Sequence, residues 1–267
     1  MANAASSNLE SPKPGDGYVQ SFARGLEVIR SFSASSRTQT LTEVAARSGL
    51  TRAGARRILL TLQSLGYVKR DGRLFNLTPR ILDLGFAYLS SMPIWDLAEP
   101  VMETLVGEVH ESCSAAVLDE ADIVYVLRVP THKIMSISLG VGSRLPAYCT
   151  SMGRMLLSSL PEPKLEQLLQ DSDRPQRTKH TVTEVAELLT RIAQVRKQGW
   201  SLVNQELEEG LVSMAAPLVN HAGRIVAALN ISGQANRTTA RVMQETMLPQ
   251  LLGAAKSISR LLALQHS

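Results

Sequence analysis

Residues 40–76 read TLTEVAARSGLTRAGARRILLTLQSLGYVKRDGRLFN and decide the fold of the first part of the chain. Their apolar spacing predicts a short helix over residues 42–48 with Thr42 as its N-terminal cap, and Gly49 follows where a left-handed turn residue is needed. A second helix is predicted over residues 51–65, with apolar side chains on one side and arginines near its start. The segment therefore begins as two helices joined by a tight turn.

Two short strands are predicted next, over residues 67–70 and 73–77, because Asp71-Gly72 between them is a strong signal for a two-residue hairpin. A hairpin after such a helix pair is the wing of a winged helix-turn-helix. The second helix of this motif enters the major groove of DNA, while nearby cations hold phosphates. A protein-binding module of the same pattern is the alternative. We predict DNA contacts from Thr51, Arg52, Arg56, Arg57, Lys69, Arg70 and Arg73.

The basic residues are concentrated in this first part of the chain. Residues 18–85 contain 11 Lys and Arg against four Asp and Glu, whereas residues 86–267 contain 16 against 18. A cationic domain joined to a near-neutral one favours phosphate binding by the first domain and a different task for the second. Double-stranded DNA is therefore the predicted partner of the first domain.

The composition predicts two domains, one small and one mid-sized. The chain has 267 residues, of which 44% are apolar and 19% charged. Residues 1–17 are rich in Ala, Ser, Asn and Pro and predict a disordered tail without a secretion signal. No run approaches the roughly 20 apolar residues that cross a bilayer, so we expect a cytoplasmic protein with no membrane partner. The two cysteines, Cys113 and Cys149, are expected to be reduced.

A linker helix is predicted between the two domains. A support helix over residues 20–32 and a polar loop over residues 33–39 precede the helix-turn-helix. After the wing, Thr78 is the predicted cap and Pro79 lies in the first turn of a helix that runs to the break at Met92-Pro93. The predicted bounds are 18–77 for the DNA-binding domain, 78–92 for the linker helix and 93–267 for the second domain.

The second part of the chain predicts an α+β domain. An amphipathic helix is predicted over residues 95–110, with Pro100 tolerated only near its first turn. Further helices are predicted over residues 151–160, 164–169, 182–198 and 240–264. Strands are predicted over residues 113–118, 123–129, 134–138, 214–220 and 225–232. Because consecutive strands form hairpins that bracket the helices, the expected sheet is antiparallel.

Four segments are more specific than any of these patterns. They read SFARGL at 21–26, LPAYCTSMGR at 145–154, QELEEGL at 205–211 and AALNIS at 227–232. With them, the chain from about residue 19 onward resembles the IclR family of bacterial transcriptional regulators. The second and third segments are similar to the branch that controls protocatechuate, 4-hydroxybenzoate and β-ketoadipate catabolism. The resemblance implies a GAF-like effector-binding domain and homodimers or homotetramers on pseudo-palindromic operators.

The resemblance also implies an effector cleft built from the loop after the early strands of the second domain, the start of the following helix, and the last two strands. Some family members have a carboxylate and a cysteine where this chain has Val203 and Ser213. This departure argues against the small 2-oxo acids that those members bind. We therefore expect an aromatic acid or its ring-opened dicarboxylate. The positions that carry over are Ser151, Met152, Ser213, Asn230 and Ser232.

An organic acid needs hydrogen-bond donors and a cation in a partly apolar pocket. Arg144 and Arg154 flank the second of the four segments, and Arg144 is included among the predicted effector contacts. Backbone amides of residues 151–153 are further candidate donors at the start of a helix. Tyr148 either contacts an aromatic ring or packs in the core, and Arg154 either approaches the effector or is a solvated helix residue.

The acidic segment that starts with Gln205 and Glu206 is also predicted to contact the effector. Its Glu208 and Glu209 are interpreted as a solvated loop. Three roles remain open for Glu206: it orients Arg144, caps a neighbouring backbone, or closes the pocket.

No catalytic motif accompanies these residues. The chain contains no Gly-x-Ser-x-Gly elbow, P-loop or dinucleotide fingerprint, and its histidines lack metal-ligand spacing. We therefore expect no enzymatic activity, no metal and no cofactor. Two alternatives stay open: a metabolite-binding enzyme with an accessory winged-helix domain, and a redox-responsive regulator that uses Cys149.

Overall fold

The structure is a computed structural model. The strand predicted over residues 134–138 and the break predicted at Met92-Pro93 lie outside the residues that it describes, as does the predicted tail apart from Gly17. The side chain of Ile94 is likewise not described. The described residues are 17–90, 94–131 and 139–264.

The chain divides into two compact units, Met1–Ser90 and Ser91–Ser267. The elements of the first unit are α1 (Gln20–Arg30), β1 (Thr38–Thr40), α2 (Leu41–Arg47), α3 (Arg52–Ser64), β2 (Val68–Asp71), β3 (Leu74–Leu77) and α4 (Leu82–Ser90). Those of the second unit are α5 (Ile94–Val109), β4 (Ser112–Asp119), β5 (Asp122–Val129), β6 (Arg144–Pro146), α6 (Ser151–Leu157), α7 (Glu162–Asp171), α8 (Val185–Gln198), β7 (Ser201–Asn204), β8 (Leu211–Val219), β9 (Ile225–Gln234), α9 (Ala240–Val242) and α10 (Leu248–Leu264). None of the described helices is long and apolar enough to cross a membrane.

The helix-turn-helix forms as predicted, with one correction at its start. Gly49 and Gly66 have φ angles of +65° and +82°, the left-handed conformation that ends each helix. The cap of α2 is Thr40 and not Thr42. The Thr40 hydroxyl accepts a hydrogen bond from the Glu43 amide at 3.4 Å, and the Glu43 carboxylate accepts one from the Thr40 amide at 2.7 Å. This reciprocal pair places the cap two residues earlier than predicted and the first helical residue one residue earlier.

The wing contains a third strand where the sequence predicts a polar loop. β1 pairs with β3, which pairs with β2, and both pairings are antiparallel. Asp71 pairs with Leu74, so the two turn residues are Gly72 and Arg73 and the predicted turn is wrong by one residue. Phe75 is buried in the core, and the pleat of the strand fixes the register that puts it there.

The predicted linker helix starts differently from the prediction. Thr78 lies at the predicted N-cap position with Pro79 in the first turn, but its hydroxyl donates to the Gly66 carbonyl at 2.6 Å and makes no capping hydrogen bond. A 3-10 turn, Pro79–Ile81, then precedes α4. Two large side chains of α4, Leu82 and Phe86, are 70% and 68% exposed. α4 therefore presents an apolar surface within the first unit.

A six-stranded antiparallel sheet, in the order β6-β5-β4-β9-β8-β7, forms the second unit. β4 and β8 are largely buried on both faces, because α6 packs on one face while α5 and α10 pack on the other. α8 packs against α6, and α7 packs against α8. The predicted antiparallel α+β arrangement is confirmed. β6 and β7 are absent from the prediction, since strands of three and four residues are too short for alternation to be read.

Two helices of this unit differ from the prediction at prolines. Pro100 lies inside α5, beyond the first turn, although it cannot donate a helix hydrogen bond. The helix continues there, and Ala98 and Met102 on either side are fully buried. The last predicted helix is interrupted by a wider π turn, Met243–Met247, which separates α9 from α10. Pro249 follows this turn and has no amide hydrogen to continue the regular pattern.

Candidate functional site

The start of α3 presents three arginines to solvent. Arg52, Arg56 and Arg57 are exposed, while the opposite side of the helix is buried in the core. Thr51 caps the helix, since its hydroxyl accepts a hydrogen bond from the Gly54 amide at 3.1 Å. Within the described parts of the chain, none of the three arginines forms an ion pair. Their charges are thus available to phosphates and base edges.

The wing adds cations of two kinds. Lys69 and Arg73 are exposed. Arg70 is engaged within the wing itself: its Nε donates to the Gly72 carbonyl at 2.8 Å, and its guanidinium lies 5.8 Å from the centre of the Phe75 ring. Part of the Arg70 side chain therefore stabilises the hairpin, whereas Lys69 and Arg73 project outward.

A cavity of about 30 Å³ lies in the second unit, between the start of α6 and the strands β7 to β9. A volume of this size holds one or two water molecules. The walls must therefore move apart to admit an aromatic ring. The lining residues are Tyr125, Leu139, Cys149, Thr150, Ser151, Met152, Val203, Leu207, Leu211, Ser213, Asn230 and Ser232.

The sheet supplies the polar wall of this cavity. Ser213 pairs with both Val203 and Ser232, so these three side chains form one row across β7, β8 and β9. Asn230 lies two residues before Ser232 on the same face. Its Oδ1 accepts a hydrogen bond from the Ser114 amide at 3.1 Å, which leaves the amide hydrogens of Asn230 as donors.

The start of α6 supplies the opposite wall. The Ser151 Oγ is buried and has no hydrogen-bond partner among the described residues. A buried hydroxyl left unsatisfied in this way costs free energy that a bound polar group recovers. Met152 is buried beside it. Of the predicted amide donors, that of Gly153 is already bound to the Thr150 hydroxyl at 3.2 Å.

Arg144, in contrast, is not brought to the cavity. It lies in β6, and its side chain is 45% exposed. Its Nη1 donates to the Asp119 carboxylate, and its Nε donates to the Asp122 carboxylate at 3.2 Å. Two aspartates beside the β4–β5 turn therefore hold the guanidinium at the edge of the sheet.

Arg154 and Glu206 form a buried ion pair, so the interpretation of Arg154 as a solvated helix residue is wrong. Their side chains are 2% and 6% exposed, and two hydrogen bonds of 2.7 and 2.6 Å join them. The Arg154 Nε donates to the Tyr148 carbonyl, and the Glu206 carboxylate also accepts from the Val182 amide. Glu206 thus caps a neighbouring backbone and pairs with Arg154, not with Arg144. Leu207, the next residue, lines the cavity.

Tyr148 and Gln205 hold the structure around the cavity but are not among its lining residues. The Tyr148 side chain is buried, and its hydroxyl donates to the Pro175 carbonyl. Gln205 has a φ of +60°, and its side-chain oxygen accepts from the Gly210 amide at 3.0 Å. Of the predicted effector contacts, the structure brings together Ser151, Met152, Ser213, Asn230 and Ser232.

Tyr125 and Cys149 line the cavity, and the sequence does not predict an effector contact from Tyr125. Burial raises the pKa of Tyr125 to about 12, against the opposing charge of Arg128, so its phenol stays neutral at neutral pH. Burial also raises the pKa of Cys149 to about 11. Cys149 is therefore a thiol at neutral pH, and a thiol is a poor nucleophile for redox chemistry. The strand alternation that places Tyr125 inward is the signal that locates it.

Two family models match separate parts of the chain, without overlap. The IclR helix-turn-helix domain matches residues 21–72, and the bacterial transcriptional regulator IclR C-terminal domain matches residues 86–260. The chain belongs to the IclR family. It is thus a DNA-binding transcriptional regulator, and the predicted fold of a winged helix-turn-helix followed by an effector-binding domain is confirmed.

Individual relatives agree with this assignment. The Pca regulon regulatory protein of Pseudomonas putida is 41% identical, over 90% of this chain and 83% of its own. The p-hydroxybenzoate hydroxylase transcriptional activator of Acinetobacter baylyi is 32% identical, over 91% of this chain and 92% of its own. The crystal structure of a transcriptional regulator from Rhodococcus sp. RHA1 is 48% identical and covers 92% of this chain and 98% of its own, with a TM-score of 0.82. The predicted branch of the IclR family is confirmed.

Proposed function

We propose that this IclR-family regulator controls genes of aromatic-acid catabolism and binds an aromatic acid, or its ring-opened dicarboxylate, in the cavity of the second unit. The names of the Pseudomonas putida and Acinetobacter baylyi relatives support the pathway. The observation that supports an aromatic acid as the ligand is that the cavity is divided into two walls of different chemistry. Hydroxyl and amide groups of the sheet face Met152 and the buried hydroxyl of Ser151, which has no partner within the described residues. Such a division suits a planar ring with polar substituents.

Operator binding is assigned to α3 and the wing. Replacing a residue that holds a phosphate, such as Arg57→Ala, is expected to reduce the slope of log K against log salt by about 1, whereas loss of a base contact costs about 1–3 kcal/mol and relaxes the sequence preference. Fluorescence anisotropy with a labelled operator measures both effects. Arg191→Ala is the matched control, because Arg191 is half exposed in the second unit. A wild-type chain without DNA affinity would support the protein-binding alternative.

The working unit is proposed to be a homodimer or homotetramer. An operator with two-fold symmetry requires a second copy of the winged helix-turn-helix. The exposed apolar side chains of the first unit, Phe22 at 67% and Phe86 at 68% among them, suit the surface of an identical partner. Sedimentation velocity tests this proposal with Phe86→Ser, which is expected to shift the wild-type oligomer toward monomer. A monomeric wild type at operator-binding concentrations contradicts it.

The effector is tested by thermal unfolding in the presence of protocatechuate, 4-hydroxybenzoate, β-ketoadipate, cis,cis-muconate or pyruvate. An acid that binds the folded chain at 100 times its Kd stabilises it by about 2.7 kcal/mol and raises the melting temperature. Ser151→Ala is expected to weaken that shift, while Ser159→Ala, at an exposed position just after the end of α6, leaves it unchanged. The same acid is expected to alter operator affinity, by as much as its differential affinity for the two states. Stabilisation by pyruvate alone contradicts the aromatic proposal.

The enzyme alternative makes an opposite prediction for the same acid. A regulator returns the bound acid unchanged, so chromatography of the ligand after long incubation is expected to recover it in full. A converted product in stoichiometric excess over protein would support the enzyme. We also propose that the protein acts in the cytoplasm, where the operators of bacterial genes lie.

A further inference from the structure

The cavity lining contains no charged side chain among the described residues, although the proposed effector is an acid. An ionised carboxylate in a partly apolar site is expensive to bury unless a cation or several donors accompany it. Two arginines near the cavity motif are already neutralised. Arg154 is paired with Glu206, and Arg144 is held by aspartates at the sheet edge. Both of these guanidinium groups are thus committed to carboxylates of the protein itself.

A bulge in β5 brings Arg128 to the cavity face of the sheet. Ser114 of β4 pairs with Arg128, but Ala116 pairs with Tyr125, so β5 contains one extra residue between them. Paired residues share a face of the sheet, and so do Ser114 and Ala116, which are two apart. Tyr125 and Arg128 therefore point to the same face although they are three residues apart. Tyr125 lines the cavity, so this is the cavity face.

The row that contains Arg128 leads directly to the cavity wall. The Arg128 Nη1 donates to the Ser114 Oγ at 3.3 Å. The Ser114 amide donates to the Oδ1 of Asn230, which lines the cavity. Neighbouring strands lie about 4.8 Å apart, so the guanidinium at Ser114 is about one strand from Asn230. The charge of Arg128 also lowers the pKa of Tyr125 against the effect of burial, which agrees with this proximity.

We propose that Arg128 binds the carboxylate of the effector, at the β4–β5 side of the cavity. The ring then extends toward Met152 and Ser151, where the buried hydroxyl receives the polar substituent at the far end. The inference rests on the proposed function, because it assumes that the cavity binds an organic acid. It makes Arg128 the residue that separates acids from neutral molecules of the same shape.

The test compares each acid with its neutral amide by isothermal titration: 4-hydroxybenzoate with 4-hydroxybenzamide, and protocatechuate with 3,4-dihydroxybenzamide. Wild-type protein is expected to prefer the acid. In Arg128→Met the acid is expected to lose about 10- to 100-fold in affinity, as expected when a charged hydrogen bond is lost, while the amide changes less than about threefold. Arg128→Lys keeps the charge and is expected to retain part of the preference. A merely structural role for Arg128 would weaken acid and amide equally.

Two further variants complete the test. Arg144→Met makes the same chemical change at the sheet edge and is expected to leave the preference intact. Arg177→Met is the competing assignment, because the charge of this exposed arginine also acts on Tyr148 and Cys149. Loss of the preference in Arg177→Met, or its survival in Arg128→Met, overturns the assignment of Arg128 alone. A wild type that binds none of the acids of the thermal screen overturns the proposed function and this inference together.

Discussion

Replacing Arg154 with methionine is expected to destabilise the second unit by about 3–5 kcal/mol, since it leaves a buried carboxylate without its counter-charge. Arg154 and Glu206 are almost fully buried and share two hydrogen bonds. Methionine keeps much of the apolar stem but donates nothing to Glu206 or to the Tyr148 carbonyl. For a unit of this size, each kcal/mol lowers the melting temperature by about 2–4 °C, so the expected loss is roughly 6–20 °C.

Tryptophan fluorescence measures this loss in the second unit alone. The chain has two tryptophans, Trp95 and Trp200, and both belong to the second unit. The matched control is Arg191→Met, which makes the same change in a pair with Glu187 whose side chains are 48% and 50% exposed. A solvated pair at this helical spacing contributes about 0.3–0.5 kcal/mol. Comparing the two variants therefore separates the loss of stability that is due to burial of the ion pair from the loss that is due to removing an arginine.

A double variant separates the ion pair from the packing of each side chain. Arg154→Met with Glu206→Met removes both charges, and apolar replacement of a buried pair is often close to neutral. The Val182 amide still loses its acceptor, which costs about 1–3 kcal/mol. The double variant is thus expected to lose less free energy of unfolding than the two single variants lose together. The reasoning is refuted if Arg154→Met costs no more than Arg191→Met, or if the two single losses simply add.

Three further predictions follow from single positions. Gly153→Ala is expected to prevent normal folding of the second unit, because its Cβ would lie 2.2 Å from the Ala147 carbonyl oxygen; Gly107→Ala, a helical glycine with open space around it, is expected to gain about 0.5–1 kcal/mol, and equal thermal stability of the two variants would contradict this. Cys149 is expected to resist iodoacetamide at pH 7.5 and to react only as the pH approaches its pKa of about 11, so fast alkylation seen by mass spectrometry would revive the redox alternative. Thr40→Ala is expected to lower the stability of the first unit by about 0.5–2 kcal/mol, measured by circular dichroism, and an unchanged unfolding curve would remove its capping role.

The sequence predicts the first unit well because residues close together in the chain determine where its helices end. Gly49 and Gly66 mark helix ends that only a left-handed residue fits easily, and both were readable from position alone. The errors lie within two residues, at the Thr40 cap and the Gly72 turn. β1 escaped prediction because three residues show no alternation, and its pairing with β3 is set by contacts distant in sequence.

The lining of the cavity is predictable at positions that both a sequence motif and the alternation of a strand indicate. Ser213 and Ser232 share a row because strand pairing follows from alternation, and the resemblance to a family points to the same positions. The burial of Arg154 is not predictable in this way. Its partner Glu206 lies 52 residues away, and no pattern within α6 distinguishes an inward arginine from a solvated one. Long-range pairing of charges is decided by tertiary structure, after each helix has formed.

The same limit explains why proximity in the sequence points to Arg144, which the structure does not bring to the cavity. Arg144 is adjacent to the cavity motif in sequence, yet β6 is an edge strand whose neighbouring turn supplies Asp119 and Asp122. Strict alternation from Tyr125 would place Arg128 on the opposite face of β5, and one extra residue reverses that outcome. A bulge leaves no clear mark in a single sequence, because it depends on how β4 pairs with β5. Which arginine faces an acid in this cavity therefore depends on the register between β4 and β5. The sequence motif that identifies the cavity does not determine it.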